Sequence, residues 1–224
     1  MTFSIVARCS RTGAFGLAIS SSSPAVAARC AFARAGIGAV ASQNVTDPRL
    51  GDRVLGQLAN GSDATTAVND VICTAENRNY RQILAVDNAG TTAIFSGSKA
   101  LGINAECQSR GAAAAGNLLF CESVPQSMVA MFHEASGHVG DRLLAALRAG
   151  LDAGGEAGAV HSAGLLVVDK QQWPLVDLRC DWTTDCPIEA VAHAWQIYKP
   201  QMDDYVTRAL SPADAPSYGV PGNE

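Results

Sequence analysis

The sequence contains few charged and few aromatic residues, and it lacks any long uninterrupted apolar run. Of its 224 residues, 17% are charged, 6% are aromatic and 48% are hydrophobic. This composition excludes an intrinsically disordered chain and supplies enough apolar material for a folded core. Because no stretch approaches the roughly 18 consecutive apolar residues that a membrane-spanning helix needs, we expect no membrane association.

The charged residues form no basic stripe, and the formal net charge is −5 with a pI near 5.3. We therefore expect no binding to nucleic acid, which normally requires a cluster of lysines and arginines. Arg8 interrupts the first apolar residues before they can form the core of a signal peptide. The seven cysteines include no C-x-x-C motif and are odd in number, so we expect a cytoplasmic protein with free thiols.

Motifs of several familiar enzyme classes are missing or incomplete. Residues 111–117 have the glycine spacing of a phosphate loop but lack the lysine and the Ser/Thr that hold phosphate and magnesium. No G-x-S-x-G occurs, and no strand is followed by G-x-G-x-x-G. Ser96 and Lys99 match S-x-x-K, but Gly97 favours a turn over the helix that this motif requires. Since the four histidines also lack metal-ligand spacing, we expect neither a cofactor nor a metal site.

Apolar alternation and turn residues predict several hairpins, and apolar spacings of three and four predict the helices between them. The predicted strands cover residues 3–7, 15–20, 36–43, 83–86, 91–95, 107–119, 163–168 and 175–180. The predicted helices fall within residues 54–61, 63–72, 128–135, 143–151, 188–199 and 202–209. Strands that are apolar on both faces need cover on both sides. We therefore predict an α+β fold in which two helical layers enclose two antiparallel sheets.

The chain has no linker-like segment, which predicts a single domain over residues 1–210 followed by a Pro/Gly-rich tail over residues 211–224. Tyr218 and Val220 in this tail are apolar residues with little reason to face solvent. A tail of this kind can lie across a neighbouring subunit, so we expect a homodimer or a larger homo-oligomer.

The position of Thr2 suggests a chemistry that needs no separate catalytic base. A small second residue permits removal of Met1, after which Thr2 carries both a hydroxyl and a free α-amine. The reference pKa of an α-amine is about 8, so this amine can serve as the base for its own hydroxyl. Many proteins begin with Met-Thr without any such role, and position alone leaves that interpretation open.

Residues 1–44 resemble the opening of a bacterial family known as domain of unknown function 1028. The similarity continues through YRQ (80–82), VDNAG (86–90), GNL (116–118), AGGE (153–156), SA (162–163), VDLRCDW (176–182) and APSYGVPG (215–222). This family resembles the N-terminal-nucleophile (Ntn) hydrolases, whose fold is a four-layer αββα sandwich. The resemblance implies that Thr2 is the nucleophile and that the reaction is amide hydrolysis, but it implies no substrate.

The sequence departs from the family pattern after the second predicted strand. Many relatives have a lysine and aromatic residues there, whereas this chain has Ser22, Ser23 and Pro24. A positive charge at that place would help to lower the pKa of the Thr2 amine, and the candidate cation is Arg34.

The leading hypothesis is an Ntn-type amidohydrolase that acts on a small amide or peptide-like metabolite. Asn117 follows a glycine and is the candidate donor to the oxyanion. The alternative is that Asn117 is a turn residue at the end of a strand and has no role in catalysis. Ser21, Glu156 and Asp181 are further candidates, with a solvated loop carboxylate as the alternative for Glu156.

Two other functions remain open at this point. One is a catalytically silent Ntn-like fold that serves as a binding or assembly module. The other is an enzyme outside the Ntn class that uses Ser96 and Lys99, or a cysteine.

Overall fold

The computed structural model describes residues 1–220, and within them the chain forms ten β-strands and seven α-helices. The strands are β1 (Thr2–Arg8), β2 (Phe15–Ser21), β3 (Ala31–Arg34), β4 (Gly38–Asn44), β5 (Arg81–Asp87), β6 (Thr92–Ser96), β7 (Ala105–Ser109), β8 (Ala112–Asn117), β9 (Ser162–Val168) and β10 (Val176–Cys180). The helices are α1 (Val26–Cys30), α2 (Arg49–Ala59), α3 (Ala64–Cys73), α4 (Val124–Glu134), α5 (Val139–Asp152), α6 (Pro187–Tyr198) and α7 (Met202–Leu210). All six predicted helices are confirmed, whereas α1 and β3 were not predicted.

The strands form two sheets, and every pair of neighbouring strands named above is antiparallel. A six-stranded sheet has the order β10-β9-β2-β1-β8-β7, and a four-stranded sheet has the order β3-β4-β5-β6. Strand β1 lies inside the larger sheet, between its hairpin partner β2 and the distant β8. The chain is therefore a mixed α/β protein with two antiparallel sheets, in agreement with the predicted hairpins.

Three buried apolar clusters hold these elements together. The first joins one face of the larger sheet to α4, α5 and α6, and it includes Phe3, Met128 and Leu147. The second lies between the two sheets and contains residues of both, such as Val6 and Leu84. The third joins the outer face of the smaller sheet to α2 and α3. Since side chains alternate along a strand, β1 contributes Phe3 and Ile5 to the first cluster and Val6 to the second.

Two local predictions are confirmed, the cap of α3 and the apolar stripe of α6. The Asp63 carboxylate accepts a hydrogen bond of 2.8 Å from the Thr66 amide, so Asp63 caps α3 as predicted. In α6, Ile188, Val191 and Trp195 are buried. The predicted apolar stripe is thus the face by which α6 packs on the sheet.

One predicted element is wrong in its extent. Residues 107–119, predicted as one strand, form the end of β7 and all of β8, which pair as a hairpin. Gly111 has a φ of +83°, a conformation that reverses the chain and that glycine adopts without strain. Residues 111–116 are all glycine or alanine, so the pattern of polar and apolar residues did not indicate this turn.

The last four residues of the predicted tail lie outside the described residues. Within the described part of the tail, Tyr218 and Val220 are 54% and 50% exposed, and the Arg208 guanidinium lies 4.1 Å from the centre of the Tyr218 ring. The homo-oligomer stays a prediction. Among residues 1–220, no helix has the combination of length and apolar character that crossing a bilayer demands.

Candidate active site

Thr2 lies at the start of β1, with Ser21 of β2 on one side and Asn117 of β8 on the other. The β1–β8 register places Thr2 opposite Asn117, and the Thr2 hydroxyl lies 3.4 Å from the Ser21 Oγ. Thr2 is only 4% exposed, and Ser21 and Asn117 are fully buried. Three of the predicted site residues therefore meet at one end of β1.

The alternation of β1 directs Thr2 toward the second sheet. Ser4, two residues further on, donates a hydrogen bond of 2.6 Å to the Gln43 Oε1 of β4. Because Thr2, Ser4 and Val6 share one face of the strand, the Thr2 side chain lies at the edge of the space between the sheets.

A chain of hydroxyl groups leads from Arg29 to the carbonyl oxygen of Met1. Arg29 Nη2 donates to the Ser23 Oγ at 3.1 Å, and the Ser23 and Ser21 hydroxyls lie 2.8 Å apart. The Ser21 Oγ donates in turn to the Met1 carbonyl oxygen, which also accepts from the Thr2 hydroxyl. A guanidinium can only donate, so the Ser23 Oγ accepts from Arg29. Because the Ser21 proton goes to the Met1 carbonyl oxygen, the Ser23 hydroxyl directs its own proton toward Ser21. The chain is thus polarised toward the carbonyl beside the Thr2 hydroxyl.

Backbone contacts hold this hydroxyl chain in place. The Ser23 amide donates to the Ser21 Oγ at 3.1 Å, and the Ser162 hydroxyl donates to the Ser23 carbonyl at 2.6 Å. The Ala25 amide donates to the Asp181 carbonyl at 2.8 Å, and Ala25 has a left-handed φ of 52°. This loop is therefore fixed from several directions.

Asn117 belongs to a buried amide network that connects the two sheets. Its Nδ2 donates to the Gln82 Oε1 at 3.1 Å, and the same oxygen accepts from the Gln43 Nε2 at 2.8 Å. The Gln82 Nε2 donates to the Gly116 carbonyl at 3.2 Å. These contacts fix the orientation of the Asn117 amide and leave its buried Oδ1 without a partner among residues 1–220. A buried acceptor without a donor is rare in folded proteins and identifies a position where a donor is needed.

Glu156 reaches the same region from the loop that follows α5. Both carboxylate oxygens accept from the Ser22 amide, at 3.1 and 3.2 Å, and Glu156 is 4% exposed. Burial raises the pKa of Glu156 to about 7. Three effects oppose this rise: the hydrogen bonds from Ser22, the charge of the Met1 ammonium and the charge of His161. Gly154 and Gly155, both with positive φ, turn the chain so that this carboxylate points inward. Glu156 is therefore not the solvated loop carboxylate that the sequence left as an alternative.

The other predicted candidates form no side-chain hydrogen bond with Thr2 or Ser21 among residues 1–220. Asp181 is exposed and enters the region only through its backbone carbonyl. Ser96 is the last residue of β6, where its hydroxyl accepts from the Gln82 Nε2 at 3.0 Å and donates to Glu106. Lys99 lies on the predicted turn and donates to the Tyr80 hydroxyl, so Ser96 and Lys99 have different partners. Within residues 1–220, no three His, Cys, Asp or Glu side chains are grouped so that they could hold a metal ion.

Sequence reasoning overlooked four residues of this site: Ser23, Arg29, Gln43 and Gln82. Arg34, the candidate cation, is exposed at the end of β3. Arg29, which is nearer to Ser23 in sequence, reaches the hydroxyl chain instead. A glutamine within an otherwise apolar strand, as at Gln43 and Gln82, was the available signal. A buried polar side chain in such a strand needs partners and so indicates a polar network.

The raised pKa of Glu156 predicts a specific dependence of stability on pH. Between its ordinary value of 4.5 and about 7, the folded protein retains a proton that the unfolded chain has lost. This contribution to stability is present in full below about pH 4.5 and is lost as the pH rises through about 7. We expect Glu156→Gln to gain stability relative to the parent as the pH rises from 4.5 to 8, by on the order of 2–3 kcal/mol.

Urea unfolding of both proteins at pH 4.5, 6 and 8 measures this effect. Glu122→Gln, at an exposed glutamate, is the matched control and should show no such trend. A constant difference between Glu156→Gln and the parent at all three pH values would mean that Glu156 has an ordinary pKa.

Comparison with known proteins places the chain within one family. A model described as a family of unknown function (DUF1028) matches residues 2–191. The crystal structure of protein SPO2555 from Silicibacter pomeroyi, which bears the same family name, shares 34% identity and has a TM-score of 0.83. The match covers 88% of this chain and 89% of that chain.

More distant similarity extends to structures of Anbu. Anbu (ancestral beta-subunit) from Yersinia bercovieri has a TM-score of 0.41 at 11% identity, over 97% of this chain and 100% of that chain. A mutant of Anbu from Hyphomicrobium sp. strain MC1 has a TM-score of 0.43 at 9% identity, over 98% of this chain and 100% of that chain. No curated protein matches the sequence.

Proposed function

The chain belongs to the DUF1028 family, and from this premise we propose that it is an Ntn-type amidohydrolase whose nucleophile is Thr2 after removal of Met1. One observation carries the proposal: the buried Thr2 hydroxyl lies beside a carbonyl oxygen that already accepts a hydrogen bond from Ser21. The two antiparallel sheets, packed on each other and covered by helices, support the four-layer αββα arrangement that the resemblance implies.

In the proposed reaction, the Thr2 Oγ1 attacks the carbonyl carbon of an amide while the Thr2 amine takes the hydroxyl proton. The C–N bond then breaks, and the amine passes this proton to the leaving nitrogen. The acyl group remains on Thr2 as an ester, which a water molecule hydrolyses to release the acid. Nucleophile and base are one residue, so the reaction needs no separate histidine.

The Ser21 hydroxyl is the proposed donor to the oxyanion that forms during this attack. It already donates to the Met1 carbonyl, which occupies the space beside the Thr2 hydroxyl. The Arg29 charge, transmitted through Ser23, increases the strength of this donor. A donor fixed before the reaction stabilises the developing charge without reorganisation.

Asn117 receives a different role from the one expected. Its amide nitrogen donates to Gln82, and its Oδ1 is the buried atom that lacks a donor. Removal of Met1 gives the nitrogen of Thr2 additional protons. We propose that the Asn117 Oδ1 accepts one of them and so orients the amine, with Gln82 holding Asn117 in position.

Met1 indicates which substrates the site favours. Its aminoacyl group lies beside Thr2, with the carbonyl on Ser21 and an ammonium that acts on Glu156. After removal of Met1, an aminoacyl amide whose carbonyl oxygen accepts from Ser21 would bring its own ammonium toward Glu156. The proposed substrate is therefore a small amide or peptide with a free α-amine on the acyl side.

Intact mass and covalent labelling of the untagged protein test the proposal. We expect a mass lower by one methionine residue, and we expect a β-lactone to add its full mass to Thr2 through ring opening. The processed protein should also hydrolyse aminoacyl coumarin amides faster than their N-acetylated forms. Retention of Met1, with no labelling, would instead favour the catalytically silent fold.

A further inference from the structure

A positively charged cavity lies at the opposite end of β1 from Thr2. The strand runs from Thr2 to Arg8, a distance of about 20 Å at the usual rise per residue. The cavity has a volume of about 460 Å³. The residues that line it include Arg8, Ser10, Arg110, Phe132, His133 and Arg142.

None of the three arginines forms a salt bridge with a carboxylate in the part of the chain that the structure describes. Arg142 donates to the Phe132 carbonyl at 2.9 and 3.0 Å, and Arg110 makes one long contact of 3.4 Å with the Ala89 carbonyl. The buried Nε of Arg8 has no partner among residues 1–220. Unpaired positive charges therefore converge on one cavity of a protein whose net charge is −5.

Two carboxylates that lie close to cavity residues in sequence, Asp87 and Asp141, already have other partners. Asp87, whose loop forms part of the cavity wall, accepts from the amides of Ala64, Ala89 and Thr91 at 2.9–3.0 Å. Asp141, next to Arg142 in sequence, accepts from Trp195 and Lys199. Neither carboxylate therefore pairs with the arginines of the cavity.

We propose that this cavity binds a small molecule that carries a phosphate group. Guanidinium groups match phosphate oxygens with paired hydrogen bonds and stay charged at all physiological pH values. The Arg142 guanidinium lies 4.0 Å from the centre of the Phe132 ring, which fixes the cation before a ligand arrives. The volume lies within the range of small-molecule sites and leaves room for an organic group against Phe132.

Calorimetric titration at constant ionic strength tests this site independently of the Thr2 chemistry. The probes are inorganic phosphate, glycerol 3-phosphate and neutral glycerol. We expect saturable binding of both phosphates and none of glycerol. Arg110→Glu should weaken phosphate binding at least tenfold, because it replaces an exposed charged donor with a repelling carboxylate. Arg34→Glu makes the same charge change at an exposed arginine outside the cavity and should alter binding less than twofold.

The two phosphate probes separate the possible sources of the ligand. Tighter binding of glycerol 3-phosphate would identify a phosphate ester that uses the Phe132 wall, whereas equal binding would identify the phosphate group alone. No saturable binding by the parent protein, or equal binding by Arg110→Glu and the parent, would overturn the proposal.

Discussion

Replacement of Thr2 by alanine is expected to abolish covalent labelling and amide hydrolysis, with a loss of at least about 10⁴-fold. The alanine variant keeps the α-amine but loses the hydroxyl, and no neighbouring residue supplies both groups. Loss of one buried hydroxyl and one methyl group at the start of β1 should reduce the free energy of unfolding by only about 1–2 kcal/mol. Labelling kinetics and urea unfolding of the same preparations measure the two effects separately.

Thr2→Ser is the matched control for this experiment. It keeps hydroxyl and amine and should retain part of the labelling rate. The rate should fall about tenfold for each pH unit below the pKa of the amine, which is near 8 when unperturbed. Full activity in Thr2→Ala, or in protein that retains Met1, would end the N-terminal-nucleophile interpretation.

The periodic parts of the fold were predictable from the sequence because their burial follows from local pattern. The apolar residues of β1 and the Ile188, Val191 and Trp195 stripe of α6 lie where alternation and helical spacing put them. The hairpin within residues 107–119 was predicted as a single strand because alanine and glycine give little amphipathic pattern. Its turn depends on the backbone conformation of Gly111, which side-chain periodicity does not report.

Contacts of the candidate site were less predictable because they join distant parts of the chain. Thr2 and Asn117 are adjacent only because β1 pairs with β8, a register that no local signal specifies. Arg29 reaches Ser23 because α1 turns back over the loop after β2, and α1 was not predicted. The arginines of the charged cavity are likewise far apart in sequence, so a search for a basic stripe could not find them.

The functional contribution of the hydroxyl chain can be separated from its contribution to folding by two neighbouring serines. Ser20 and Ser21 are both fully buried on β2, but Ser20 faces away from Thr2 and donates to the Ser162 carbonyl at 3.0 Å. Each serine-to-alanine change removes one buried hydroxyl, so both should reduce stability by a similar amount, about 1 kcal/mol. Only Ser21→Ala removes the proposed oxyanion donor.

We therefore expect Ser21→Ala to lower the rate constant for β-lactone acylation by about 10²–10³-fold, whereas Ser20→Ala should change it less than about threefold. Ser23→Ala and Arg29→Gln leave the Ser21 hydroxyl in place but remove its polarising partners, so each should lower the rate by roughly tenfold. Arg29→Lys keeps the charge and should recover part of that loss. In turnover assays the decrease should fall on kcat rather than KM, since the oxyanion forms only in the transition state. Equal rates for Ser20→Ala and Ser21→Ala would exclude Ser21 as the donor, and the oxyanion would then need another partner.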